Sequence, residues 1–225
     1  MIGVGTSLLF GRRAGKGGSP IPPFNDAMVD AWFMSRLSNV DKPSSIRGVK
    51  GNEMQLKNFV FTSESGFGEG TYEGALVFDG VDDYGMCTGL PIMDDFTLIC
   101  KREILNTSPG YVANKGLGNA GAFHFESSIL TSDSNSTTGV WSYGTGNRVK
   151  LEESEVSWMT KNSYNGIELK TGNLSDVNQL YLCRFSSSYT KAAIYYFALY
   201  DKSLTIEEIE TEKERLNEEW LKRKN

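Results

Sequence analysis

The segment Gly74-Ala75-Leu76-Val77-Phe78-Asp79-Gly80-Val81-Asp82-Asp83-Tyr84 packs a strand, a tight turn and the start of a second strand into a short span. Ala75 to Phe78 is an apolar run of strand length, as a buried or half-buried strand requires. Asp79-Gly80 ends it, because glycine accepts positive φ and an aspartate side chain can bond its own backbone. Asp82-Asp83 makes a second acidic turn, and Tyr84 stands where a new strand can begin.

Outward from this unit the same pattern repeats. Phe96 to Cys100, the segment begun by Trp141 and Tyr143, Val156 to Met159, Gly166 to Leu169 and Leu180 to Phe185 read as strands between polar, glycine-containing turns, and Gly110 to Lys115 follows an exposed loop. Phe123-His124-Phe125 alternates apolar and polar, which sends His124 to the face opposite the two phenylalanines. Residues 26–37 stay open: Met28, Ala31, Trp32 and Leu37 suit a helix, while Val29 to Met34 suits a first core strand or irregular structure; Met54, Leu56, Phe59 and Phe61 mark another strand. Ala192 to Leu199 is apolar throughout, as a central strand buried on both faces requires.

The pattern changes near Thr205. Thr205 with Glu208 forms a capping box, acids fill the first turns, and Lys222, Arg223 and Lys224 close the helix, in accord with its dipole. Ile206, Ile209, Leu216 and Trp220 share one helical face, broken by Lys213. Leu216 and Trp220 are placed to pack on the body or on another protein.

The 225 residues suit one domain, and 39 % apolar content supports a real core. A net charge of -5 offers no nucleic-acid footprint. The 3 cysteines make no disulfide framework, and the single histidine leaves little room for zinc chemistry or a Ser-His-Asp triad. No apolar run has the length of a membrane span. Residues 1–11 lack the charged start and strong apolar stretch of a secretion signal, and Arg12 and Arg13 follow them instead of preceding them.

The expected organisation is a flexible Gly/Pro-rich arm over 1–24, a sandwich over 25–204 and an amphipathic helix over 205–225. Two readings of the arm stay open: a tail without fixed structure, or a segment that orders on a partner by adding a strand to an exposed edge. Arg12, Arg13, Leu216 and Trp220 are the candidate assembly residues.

Taken together, 74–84, the Gly51-Asn52 turn before the Leu56 strand, and Ala198 to Ile209 resemble the laminin-G-like, concanavalin-A-like jelly rolls of lectins, glucanases and phage surface proteins. The resemblance covers about residues 27–210. It implies an all-β fold: a jelly-roll sandwich of two antiparallel sheets with a C-terminal helix. The arm joined to a lone jelly roll also resembles proteins of phages or prophages of gut bacteria. The Glu-x-Asp-x-x-Glu string of that superfamily's glucanases is missing; Glu152-Glu153-Ser154-Glu155 is the nearest cluster and reads as surface charge.

The resemblance therefore implies a binding or adhesion module that is not an enzyme, recognises glycan, and is displayed on a virion or extracellular surface. Its expected partners are glycan or other virion and surface proteins, with homo-oligomers open and neither nucleic acid nor membrane. Two alternatives stand beside it: a structural virion protein, in the head or a tail appendage, anchored through its arm, and a glycoside hydrolase. Tyr111, Trp141, Tyr143, Tyr164 and Tyr189 lie outside the clearest core runs and are candidate sugar platforms, joined by His124. No cofactor is required. Calcium stays open, with Asp79, Asp82 and Asp83 as candidate ligands, although turn formation accounts for Asp79 and Asp82 without a metal.

Overall fold

The computed structural model describes residues 23–35, 37–91, 93, 96–105, 111–115, 123–126, 139–145, 155–163 and 179–225. Among them the chain is all-β, with several sheets and a single long helix near the C-terminus. Arg12, Arg13, Tyr164 and the strand expected at Gly166 to Leu169 lie outside the described residues.

The first sheet has seven strands: β1 (Met28–Phe33), β4 (Gly66–Phe67), β5 (Leu76–Asp79), β7 (Phe96–Ile104), β10 (Gly139–Thr145), β11 (Glu155–Ser163) and β15 (Lys191–Tyr200). Their order is β10-β11-β7-β15-β5-β4, with β1 also on β15. The second sheet has six: β2 (Ser45–Arg47), β3 (Glu53–Lys57), β6 (Tyr84–Cys87), β8 (Tyr111–Lys115), β9 (Phe123–Glu126) and β12 (Leu180–Leu182), in the order β2-β3-β6-β12-β8-β9. A short hairpin, β13 (Arg184–Phe185) with β14 (Ser188–Tyr189), follows β12.

β15 is the hub of the first sheet. β7 runs along one edge of it from Ala192 to Tyr200. The other edge is shared, with β5 on Lys191 to Ile194 and β1 on Met28 to Phe33 opposite Tyr200 to Tyr196. Every residue from Ala192 to Tyr200 is buried, which is why the sequence there is apolar without alternation.

The two faces of this sheet bury different cores. One cluster draws on both sheets: Trp32, Met54, Leu56, Phe78, Leu98, Leu182 and Phe197 among others. The second lies on the other side and includes Val77, Ile99, Tyr195, Tyr200, Leu216 and Trp220, so the helix closes it. β5 shows the division within one strand, with Leu76 and Phe78 in the first cluster and Val77 in the second.

The helix α1 (Ile206–Lys224) begins with the expected capping box: Thr205 Oγ1 accepts from Glu208 N at 3.2 Å and Glu208 Oε2 accepts from Thr205 N at 2.8 Å. Its inner face differs from the sequence expectation. Ile206 is 53 % exposed, and Glu212 is buried between Ile209 and Leu216. The Glu212 carboxylate is satisfied there by Tyr200 Oη at 3.0 Å, by Asn25 N at 3.2 Å and by Arg215. Leu216 and Trp220 are buried against the chain's own sheet.

A second buried carboxylate organises the Gly48–Asn52 turn. Asp30 Oδ1 accepts from the backbone nitrogens of Ala31 and Lys50, both at 2.8 Å. Its Oδ2 accepts from Asn52 N at 2.8 Å and Asn52 Nδ2 at 2.9 Å. The expected run from Leu180 to Phe185 breaks at Cys183, where φ is 58° and the chain leaves β12 for the hairpin. Cys87, Cys100 and Cys183 are free and buried, and burial pushes the Cys87 and Cys100 thiols up to about 12.

Candidate functional site

Two groupings on the described surface have the chemistry of a site. The first is the acidic turn between β5 and β6. Gly80 takes φ 78°, as the Asp-Gly pair requires. Asp79 Oδ1 then accepts from the backbone nitrogens of Val81, Asp82 and Asp83 at 2.8, 3.3 and 3.4 Å. Asp83 Oδ2 accepts from Asp79 N at 3.1 Å. The three carboxylates bring oxygens within 4.8 Å of one another. Asp83 is fully buried, and burial pushes its carboxyl up to about 6, against the lowering effect of bonds from Ser65 and Asp79 and with help from the Asp79 and Asp82 charges.

Calcium takes about six to eight oxygens. Asp79, Asp82 and Asp83 supply three carboxylates, but Asp79 Oδ1 is already engaged by three backbone nitrogens. A cation here would draw the rest of its shell from backbone or solvent. The turn stands on its own hydrogen bonds in either case.

The second grouping joins β6, β12 and the β13–β14 hairpin. β12 reads Leu-Tyr-Leu: Leu180 and Leu182 enter the core between the sheets, so Tyr181 faces the other way. Tyr84, two strand positions before Met86, lies on that same outer face. The Tyr84 ring centroid is 6.4 Å from that of Tyr181 and 6.3 Å from that of Tyr189. The Arg184 guanidinium lies 4.4 Å from the Tyr84 centroid, 5.9 Å from Tyr181 and 5.8 Å from Tyr189. Arg184 Nε donates to Ser186 O at 3.1 Å, which fixes the fork. Tyr84, Arg184 and Tyr189 are half-buried, and Ser186 to Ser188 at the hairpin tip are exposed.

Of the residues expected to bind ligand, Tyr189 belongs to this cluster. Tyr111 and His124 stand in β8 and β9, opposite Glu126 and Asn114. His124 closes a register row that runs Ser45, Gln55, Met86, Tyr181, Asn114, His124 across all six strands. Trp141 and Tyr143 lie in β10 of the other sheet, opposite Lys161 and Met159. The structure thus divides the expected aromatics between two sheets and adds Tyr84, Tyr181 and Arg184. The Leu-Tyr-Leu alternation at 180–182 was the signal for Tyr181.

A further titratable pair lies against the second core. Glu103 is buried and hydrogen-bonded with Tyr195; burial raises its carboxyl, and burial together with Glu103 pushes the Tyr195 phenol up to about 12. Asp83 and Glu103 are the described carboxyls that hold their protons above the ordinary range, the property a general acid needs.

No family model and no curated protein matches this chain. Solved structures do. A Trypanosoma rangeli sialidase in complex with 2-keto-3-deoxy-D-glycero-D-galacto-2,3-difluoro-nononic acid aligns at TM-score 0.53 and 13 % identity, over 96 % of this chain and 36 % of that one. Trypanosoma rangeli sialidase aligns at TM-score 0.51 and 14 % identity, over 85 % of this chain and 33 % of that one. The same sialidase in complex with sialic acid aligns at TM-score 0.50 and 15 % identity, over 86 % and 33 %. At these identities the likeness concerns the fold, and the chain spans about a third of the length of the structures it matches.

These matches correct one expectation. The chain was expected not to be an enzyme, on the strength of a missing glucanase string. Its fold recurs within chains that are sialidases, so that missing string does not argue against catalysis.

Proposed function

We propose that this chain is a carbohydrate-associated domain of glycoside processing, with its two large sheets forming a concanavalin-A-like jelly roll and glycosidic-bond hydrolysis as the activity to seek. The observation that carries the proposal is the fold likeness to a sialidase over 96 % of the chain. The titles of those structures name sialic acid and a difluorinated keto sugar acid as their ligands, which makes sialosides the first substrates to try. An outer sheet face bearing tyrosines and an arginine is suited to sugar rings, whose apolar faces lie on aromatic planes.

The test is a panel of fluorogenic glycosides, sialosides included, incubated with the full chain, with binding of the parent oligosaccharides measured in parallel. Release of fluorophore that is lost on heat denaturation supports the proposal, and binding without release supports its carbohydrate half. Neither release nor binding across the panel overturns it. Anchoring through Arg12 and Arg13, display on a virion or other surface, and the division at 1–24, 25–204 and 205–225 are proposed on sequence grounds. Limited proteolysis of the native assembly tests them.

A further inference from the structure

Arg184 has no acidic partner among the described residues, although the chain carries 28 acids against 23 basic residues. Its Nε is taken by Ser186 O, so the bidentate edge that remains is the pair of Nη groups. The guanidinium lies over the Tyr84 ring, 4.4 Å from its centroid, which holds the fork against that face by a cation–π contact. Lys57 stands directly opposite Tyr84 on β3 and likewise forms no ion pair among the described residues. Two cations thus lie beside one tyrosine on a half-exposed face, with the Tyr189 ring 5.8 Å from the guanidinium and 6.3 Å from the Tyr84 ring. The contact with the tyrosines accounts for the ring neighbours, but among the described residues it leaves both charges without an acidic partner. A planar anion in the plane of the fork would compensate Arg184 with two parallel N–H···O bonds, and the flanking rings would take the apolar face of the group that carries it.

We propose that Arg184, together with Tyr84, Tyr189 and the Lys57 that pairs with Tyr84 across the strands, forms a subsite for the carboxylate of an acidic sugar residue; this rests on the carbohydrate reading above. Arg184 reads the carboxylate end-on through its two Nη groups. Tyr84 and Tyr189 hold the ring, and Lys57 adds positive potential without setting geometry.

The test uses the full chain and calorimetric titration with oligosaccharides that end in a carboxylate-bearing sugar. Each is paired with the same oligosaccharide after reduction of the carboxyl to an alcohol, and with one that has no carboxyl but carries an anionic sulfate ester instead. The carboxylate form is expected to bind about tenfold tighter than the reduced form, with the gap narrowing as salt rises. Arg184→Gln abolishes the gap and leaves the weaker binding of the reduced form in place. Arg184→Lys keeps the charge but loses most of the gap, because an ammonium cannot make the paired contact, and it decides the matter should Arg184→Gln fail to fold. Equal binding of the acidic and reduced forms overturns the subsite while the carbohydrate reading stands. Preference for the sulfate ester overturns the carboxylate assignment. Binding of none of the three overturns the subsite, and with the glycoside panel also silent it overturns the reading beneath it.

Discussion

Trp220 Nε1 donates to the carbonyl oxygen of Gly74 across 3.1 Å, tying the last turns of the helix to the residue that opens the 74–84 segment. The approach is close. Gly74 takes φ 84°, and a Cβ there would lie 3.2 Å from Trp220 Cζ2. The indole also meets Tyr195 edge-on at 5.5 Å and carries the Lys101 ammonium 4.1 Å from its centroid. Trp220→Phe keeps most of the ring and removes the hydrogen bond, for a loss of about 1 kcal/mol. Trp220→Ala empties the site and costs about 3–5 kcal/mol. Urea unfolding of both variants measures the difference, and equal losses would mean that the indole does not fill this site.

Asp30 is expected to be as sensitive although it is polar. Removing its carboxylate by Asp30→Ala strands the nitrogens of Ala31, Lys50 and Asn52 in a buried or half-buried setting. The cost is about 3 kcal/mol or more. Gly48→Ala reaches the same network from the other side, because its Cβ would fall 2.3 Å from Asp30 Oδ1. Thermal melts of the two variants should both shift down, and Asp30→Asn should recover part of the loss by keeping one acceptor oxygen.

Asp83 makes stability depend on pH in the direction opposite to most carboxylates. Its carboxyl is raised from 3.8 to about 6 in the folded chain, chiefly by burial, so the folded state binds the proton more tightly than the unfolded one. The contribution is fully present below about 3.8 and is lost as pH rises through about 6. A shift of this size corresponds to roughly 3 kcal/mol. Asp83→Asn does not titrate, so the stability of the wild type relative to this variant should fall between pH 4 and pH 7. Denaturant midpoints at the two pH values check it, and a difference that rises instead would reverse the assignment.

Thr97 couples β7 to the segment that leads into the helix. Its hydroxyl donates to Lys202 O at 2.8 Å and accepts from Leu204 N at 2.9 Å. Thr97→Val preserves shape and strand preference but leaves a buried N–H and a carbonyl without this partner. The expected loss is about 1–3 kcal/mol. Amide exchange should quicken first at Leu204 and in the first turn of the helix; exchange that quickens uniformly would show a global effect instead.

What could be read from the sequence was local. The continuous apolar run of β15, the strand and turn of 74–84, and the Thr205–Glu208 cap each express one near-neighbour rule, and each appears as read. What escaped depends on partners far along the chain. Asp30 meets Asn52, Arg184 meets Tyr84, and Glu212 is admitted to the core because Tyr200 and Asn25 meet it there. By periodicity alone Ile206 was a better inward residue than Glu212, yet the helix turns the glutamate inward and leaves the isoleucine exposed. The candidate sugar platforms were chosen as aromatics outside core runs. That rule picks Tyr189, which lies beside Arg184 and Tyr84, and passes over Tyr181, which packs beside the same two residues on the outer face.

The position of β15 in the chain also bears on synthesis. β1, β5 and β7 are all made before the strand that pairs with each of them. As the chain leaves the ribosome, the first sheet therefore waits with open edges and unmatched apolar side chains until residues 191–200 emerge. Such intermediates fold slowly and are open to wrong pairing. A nascent chain stalled before residue 191 should depend on chaperones, and one stalled with β15 and the helix clear of the exit tunnel should acquire protease resistance in a single step.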